Sequence, residues 1–236
     1  MLKNQICKIY VYKSDFCILK IYLYNINIRM EKFCKTYNVS RETYSKLELY
    51  CQSLKEWQQK FNLVSNSSID NVWVRHFEDS AQLFEFIPKR AKTLLDMGSG
   101  AGFPGMVISI MARAETPYLK VTLAESIGKK TLYLKYVNDL TEANAEILNL
   151  RVEKIDGRKF DVITSRAMTS LSDLLRYAYP LLAKQGVCIF PKGKSADEEI
   201  LNAKKIWNFD CEKITSKTSE DGKILIISNL RKKGNK

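Results

Sequence analysis

Residues 94–105 read LLDMGSGAGFPG: an apolar run with an acid near its end, glycines at every second position, then an apolar stretch with helical spacing. Such a run folds as a strand turning sharply into a helix. Glycine reaches backbone angles closed to other residues, and the first N–H groups of the helix stay open to a charged ligand. Two frames compete. Gly100, Gly102 and Gly105 spell GxGxxG, and Glu125 stands about where a dinucleotide-binding fold keeps its ribose-binding acid. In that fingerprint the first glycine follows the strand directly, a place held here by Gly98. The better frame is Asp96-x-Gly98-x-Gly100-x-Gly102. Gly98 makes the turn, Gly100 admits a close approach of backbone to ligand, and Gly102 allows tight packing where the helix starts. Pro104 suits the first helical turn, where it forfeits no backbone bond. Asp96 separates the ligand classes: a carboxylate at the strand tip repels a pyrophosphate but suits a ligand carrying an ammonium and a sulfonium, which points to S-adenosylmethionine. The phosphate-cradling pattern GxxxxGK[ST] is absent.

Downstream, the pattern alternates. Strands are expected over 94–97, 119–124, 145–148, 160–164, 187–190, 210–214 and 223–228, with helices over 129–140, 171–182 and 196–207. This predicts an α/β fold with a mainly parallel seven-stranded sheet and helices on both faces. Upstream, Ser40 is a candidate N-cap for a helix whose apolar face runs through Tyr44, Leu47, Cys51, Leu54, Trp57 and Phe61. The expected organisation is an extension over 1–29, an N-terminal helical segment over 30–90, a catalytic domain over 91–230 and a basic tail over 231–236.

In such a sheet, ligands bind beyond the carboxyl ends of the strands. Three charged residues fall there. Glu125, after the second strand, is suited to both ribose hydroxyls; Arg166, in SerArgAla, follows the fourth strand; Lys192, in PheProLysGly, closes the fifth. Their convergence on one edge marks Arg166 and Lys192 as candidate catalytic residues.

The net charge of +12 points to a polyanionic partner, but residues 1–29 and 231–236 carry +4 each, so the charge alone is weak evidence for nucleic acid. The six cysteines form no CxxC, and His76 is the only histidine. That argues against a zinc site or a disulfide framework and fits a reducing cytoplasm. The apolar run in residues 1–29 is broken by Lys8, Lys13, Asp15 and Lys20, too often for a membrane span or a signal peptide. Met30 precedes an ordinary start, so the first 29 residues read as a mis-assigned start or a dispensable extension.

LLDMGSGAGFPG, AESIGKKTLYL (124–134), RVE (151–153), DVITSRA (161–167), PKG (191–193) and HFEDS (76–80) together resemble the RsmG family, also called GidB. The resemblance runs over about residues 40–230. It implies a Rossmann-like S-adenosylmethionine-dependent methyltransferase fold and methylation of N7 of a guanine in the 530 loop of 16S ribosomal RNA. Cofactor contacts then fall on Gly98, Phe103, Val152, Glu153 and Arg166, beside Asp96, Gly100, Gly102 and Glu125 from the turn itself. Departures are mild: Met97 for a smaller aliphatic residue, Leu150 before RVE, and NLVS (62–65) for NLTA.

Guanine N7 exposes a lone pair and carries no proton, so attack on a sulfonium methyl needs alignment rather than a general base. His76 is accordingly read as a packing or orienting residue. The expected partner is 16S ribosomal RNA or the small ribosomal subunit, with no membrane, no metal and a monomeric chain. Two alternatives remain: an NAD-dependent oxidoreductase, for which the chain lacks a substrate domain, and a catalytically silent RNA-binding relative.

Overall fold

In the computed structural model the described residues are 26–234. The expectation that residues 1–29 are dispensable therefore lies mostly outside them, as does the end of the basic tail.

Strand β1 (Thr93–Met97) is buried on both faces. Leu94 joins one hydrophobic cluster while Leu95 and Met97 join another, as a central strand covered on either side requires. The remaining strands are β2 (Lys120–Ala124), β3 (Glu146–Leu148), β4 (Phe160–Thr164), β5 (Leu182–Lys192), β6 (Trp207–Thr215) and β7 (Lys223–Lys232). Their order across the sheet is β3-β2-β1-β4-β5-β7-β6. The first five are mutually parallel, and β7 runs antiparallel to both β5 and β6. From β1 the chain moves outward to β2 and β3, then crosses back to β4. The order thus reverses between β1 and β4, and a crevice opens beyond their carboxyl ends.

The N-terminal region comprises α1 over 26–37, α2 (Arg41–Gln58), the short α3 (Asn66–Ile69), a π-helical turn over Trp73–Glu78 and the short α4 (Asp79–Ala81). Ser40 caps α2, its hydroxyl accepting from Thr43 N–H at 3.0 Å. The helix stops at Gln58, short of Phe61, because the Gln58 side chain accepts from the Leu63 and Val64 N–H groups and turns the chain. Helices α5 (Gly105–Glu115) and α6 (Gly128–Thr141) pack with this region on one face of the sheet. On the other lie α7 (Leu171–Ala178) and α8 (Ala196–Ala203).

Several boundaries differ from expectation. Helix α7 ends at Ala178 rather than 182, since Pro180 cannot continue it, and β5 begins at Leu182. Helix α8 ends at Ala203, and the chain enters β6 at Trp207, whose ring is buried. Arg231 and Lys232 are not a loose tail: they pair with Asn208 and Trp207 in the final hairpin. Nor is residue 29 a boundary, because α1 runs through it. Arg29 lies 2.6 Å from Glu48, donates to the Tyr44 hydroxyl at 2.8 Å and sits 4.6 Å above the Trp73 ring. Among the described residues no helix is long and apolar enough to cross a membrane, and no cluster of metal-ligating side chains occurs.

Candidate active site

The turn after β1 shows why its residues are spaced as they are. Gly98, Gly100 and Gly102 all adopt left-handed backbone angles, φ +66°, +58° and +104°. A Cβ on Gly100 would meet nothing within 4 Å, so this bare backbone faces open space. At Gly102 a Cβ would lie 2.5 Å from the Tyr50 hydroxyl oxygen, so this glycine serves packing rather than a ligand. Tyr50, from α2, donates to Ala101 C=O and stacks on Phe103 at 5.2 Å and 11°. Phe77, from the π-helical turn, meets Phe103 edge-on. The N-terminal region therefore braces the turn.

The turn forms one wall of a cavity of about 870 Å³ at the carboxyl ends of the strands. Of the expected residues, Gly98, Gly100, Phe103, Glu125, Arg166 and Lys192 line it together. Glu125 is buried and held by two backbone donors at 2.8 Å, Gly100 N–H on one oxygen and Ile127 N–H on the other. A carboxylate has lone pairs beyond these two, available to hydroxyl donors.

Asp96, Gly102, Val152 and Glu153 do not line the cavity. Asp96 is fully buried beneath the turn, and one of its oxygens accepts from Gly105 N–H at 3.0 Å. The other has no hydrogen-bond partner. Burial, only partly offset by the Gly105 bond, raises its pKa to about 7. Gly105 is glycine for the same reason: a Cβ there would sit 2.6 Å from that of Asp96. Val152 packs into the core in a short turn after β3, and Glu153 beside it is exposed.

The candidate cations are not free. The Lys192 ammonium is 2.7 Å from Glu199 and donates to Thr169 C=O at 2.9 Å, tying the loop after β4 to α8. Arg166 is no surface residue either. Its guanidinium donates to Arg75 C=O at 2.8 Å, pairs with Asp79 at 3.3 Å, reaches His76 Nδ1 at 2.5 Å and lies 5.1 Å over Phe103. Asp79 is held in turn by the Thr218 hydroxyl at 2.8 Å and by Gln82.

The sequence marks His76 as a packing or orienting residue; in the fold it lines the cavity beside Arg166. Burial first, then the charges of Arg166 and Arg75, push its pKa down to about 3. The sequence signal was its motif, HFEDS, which also holds Asp79. Arg75, Lys130 and Lys223 line the cavity as well and form no ion pair among the described residues.

The sequence profile of the family described as GidB, rRNA small subunit methyltransferase G, matches residues 43–225. The chain is 38% identical over 208 residues to a ribosomal RNA small subunit methyltransferase G from Rhodospirillum centenum, covering 88% of this chain and 94% of the relative. It is 42% identical over 187 residues to the protein of the same name from a Jannaschia species, covering 79% and 89%. A methyltransferase from Geobacter sulfurreducens has a similar fold, with a TM-score of 0.53 at 13% identity, covering 78% of this chain and 88% of that one. A ribosomal protein L11 methylase from Lactobacillus delbrueckii gives 0.52 at 16% identity, covering 70% and 80%.

Proposed function

Because the chain belongs to the GidB family of rRNA small subunit methyltransferases, we propose that it transfers a methyl group from S-adenosylmethionine to N7 of a guanine in the 530 loop of 16S ribosomal RNA. One observation carries the cofactor assignment: a bare glycine turn and an oriented carboxylate, Glu125, face one cavity at the point where the strand order reverses. The residues fit S-adenosylmethionine. Gly100 leaves room for a ligand against the backbone, and Glu125 offers lone pairs to ribose hydroxyls. When bound, the cofactor supplies an electrophilic methyl on a sulfonium. A dinucleotide reading loses its ground with the family assignment, and the late position of the GxGxxG frame agrees.

The rest of the chemistry is positioning. Guanine N7 brings its own lone pair and loses no proton, so the site needs no base. Two side chains that could otherwise serve as one are engaged: His76 already accepts from Arg166, and the Lys192 ammonium is paired with Glu199. Arg166, backed by the buried Phe103 ring, lines the cavity with a planar group on which a nucleobase would rest. Arg75, Lys130 and Lys223 on the cavity rim would hold phosphates, with an affinity that falls as salt rises. In this reading residues 91–230 carry the chemistry, 30–90 form one wall of the site, Lys192 fixes the loop after β4, and the chain works as a monomer in the cytoplasm.

The test uses small subunits from cells lacking this protein, incubated with the purified chain and methyl-labelled S-adenosylmethionine. The expected result is one labelled guanine in the 530 loop, sensitive to cleavage chemistry specific for N7 methylation. Label at another base, or none while the cofactor binds, would overturn the proposal. Calorimetry with NAD is expected to show no binding.

A further inference from the structure

We propose that His76 is a positioning residue: its unprotonated Nδ1 fixes the Arg166 guanidinium against Phe103 at the wall of the cavity. This rests on the reading that the cavity is the methyl-transfer site, and it follows from the direction of each hydrogen bond. A guanidinium only donates, so the ring nitrogen 2.5 Å from Arg166 Nη2 must be the acceptor, and the histidine proton belongs on Nε2. Nε2 lies 2.9 Å from the Ser68 hydroxyl, which gives its own hydrogen to Ser65 C=O at 2.7 Å and so has only lone pairs to offer. The chain Arg166 to His76 to Ser68 to Ser65 therefore runs in one direction and admits one tautomer.

Position completes the argument. His76 sits in the π-helical turn, a geometry in which one extra residue per turn re-aims side chains. Its ring is 4.9 Å from Phe103, the aromatic at the end of the glycine turn. Arg75 C=O at 2.8 Å and Asp79 at 3.3 Å both engage Nη1 of Arg166, so His76 is the partner that holds Nη2. His76 thus links three elements far apart in sequence, the N-terminal region, the glycine turn and the loop after β4, at the spot where the nucleobase must enter.

Two variants separate positioning from mere packing. The Oδ1 of Asn falls close to where Nδ1 stood, so His76→Asn keeps an acceptor for Arg166 and loses the Ser68 bond. His76→Gln reaches Ser68 instead and leaves Arg166 without its acceptor. With small subunits as substrate, kcat is expected within about threefold of wild type for His76→Asn. For His76→Gln it should be reduced by an order of magnitude or more, as roughly 1 Å misplacements do, with S-adenosylmethionine affinity and Tm matched between the two. Equal kcat values, or a better enzyme with Gln, would overturn the proposal. A wild-type chain that binds cofactor but does not methylate would instead sink the functional reading, and the following measurement would still decide the geometry. His76 is the only histidine, so the ¹⁵N spectrum of the untagged, ¹⁵N-histidine-labelled wild-type chain contains one imidazole. Protonated Nε2 with bare Nδ1 at pH 7 is expected, and that result carries the proposal if both variants fail to fold; a proton on Nδ1, or an imidazolium, refutes it.

Discussion

Asp96 makes the folded chain sensitive to pH in a direction opposite to that of an ordinary acid. A free aspartate ionises near 3.9, whereas burial and one unpaired oxygen raise this one to about 7. Between those values the folded chain binds a proton that the unfolded chain has lost. The stability this contributes is complete below pH 3.9 and vanishes as pH rises through 7. At about 1.36 kcal/mol per pKa unit the difference is at most ~4 kcal/mol, of which about 3 kcal/mol should be lost between pH 4.5 and pH 8. Asp96→Asn removes the titration while keeping an oxygen for Gly105 N–H. Its amide group lacks a partner, at a cost of about 1–3 kcal/mol that does not depend on pH. Urea unfolding of both proteins at pH 4.5 and pH 8 therefore has a clear signature: wild type is the more stable at the acidic end, and its advantage shrinks by about 3 kcal/mol or reverses at pH 8. A stability difference constant to within roughly 0.5 kcal/mol would refute the account of the buried carboxyl. Calorimetry on the same variant bears on the ligand. Asp96 lies under the turn and outside the cavity, so Asn, which keeps the Gly105 bond, is expected to leave S-adenosylmethionine affinity largely unchanged; a loss of about tenfold or more would return Asp96 to the cofactor site.

Gly100→Ala and Gly102→Ala should part company, since the first points into open space and the second into Tyr50. Gly100→Ala is expected to fold at a cost of roughly 1–2 kcal/mol and to lose cofactor affinity, while Gly102→Ala should fail in thermal unfolding before any binding can be read. Arg166→Ala, which strips partners from His76 and Asp79, is expected to lower stability by about 1–3 kcal/mol as well as turnover; a normal Tm would contradict the network. His76 contributes an opposite pH term: its depressed pKa adds stability that is present above 6.5 and lost as pH falls toward 3. His76→Asn should accordingly flatten the acid limb of the unfolding profile between pH 6.5 and pH 4, and an unaltered limb would show that His76 is not buried neutral. A chain beginning at Met30 should melt below one beginning at residue 26, because Arg29 bridges Glu48, Tyr44 and Trp73; identical melting would restore the view that the fold begins at Met30.

The strand tips were legible because their signals are local. An acid and alternate glycines after an apolar run specify a turn whatever surrounds it, and strand β4 falls on the residues expected from its apolar run. The ends of helices were harder: Pro180 stops α7 by itself, yet the apolar spacing that runs on to residue 182 carried the expected helix past it. What Asp96 does under the turn was recorded in Gly105, which has no side chain because the carboxyl occupies its place, but a glycine in FPG is equally well explained by the start of a helix. The state of Lys192 was hidden differently: charge is visible in a sequence, yet its neutralisation by Glu199 depends on α8 folding back over the end of β5.

The arginine network was beyond sequence reading for a stronger reason. Arg166 meets His76 across ninety residues and Asp79 across eighty-seven, while Thr218 reaches Asp79 from the final hairpin, one hundred and thirty-nine residues away. No periodicity encodes such contacts, and the N-terminal helices, without a charged strand tip of their own, looked like an attachment to the sheet. Their aromatic residues prove to be the brace. Tyr50 and Phe77 hold Phe103 from behind while His76 and Asp79 hold Arg166 from the side. A mutation that loosens α2 against the sheet therefore reaches the cavity through Phe103 before it exposes any core, so activity should fail at a lower temperature than the fold does.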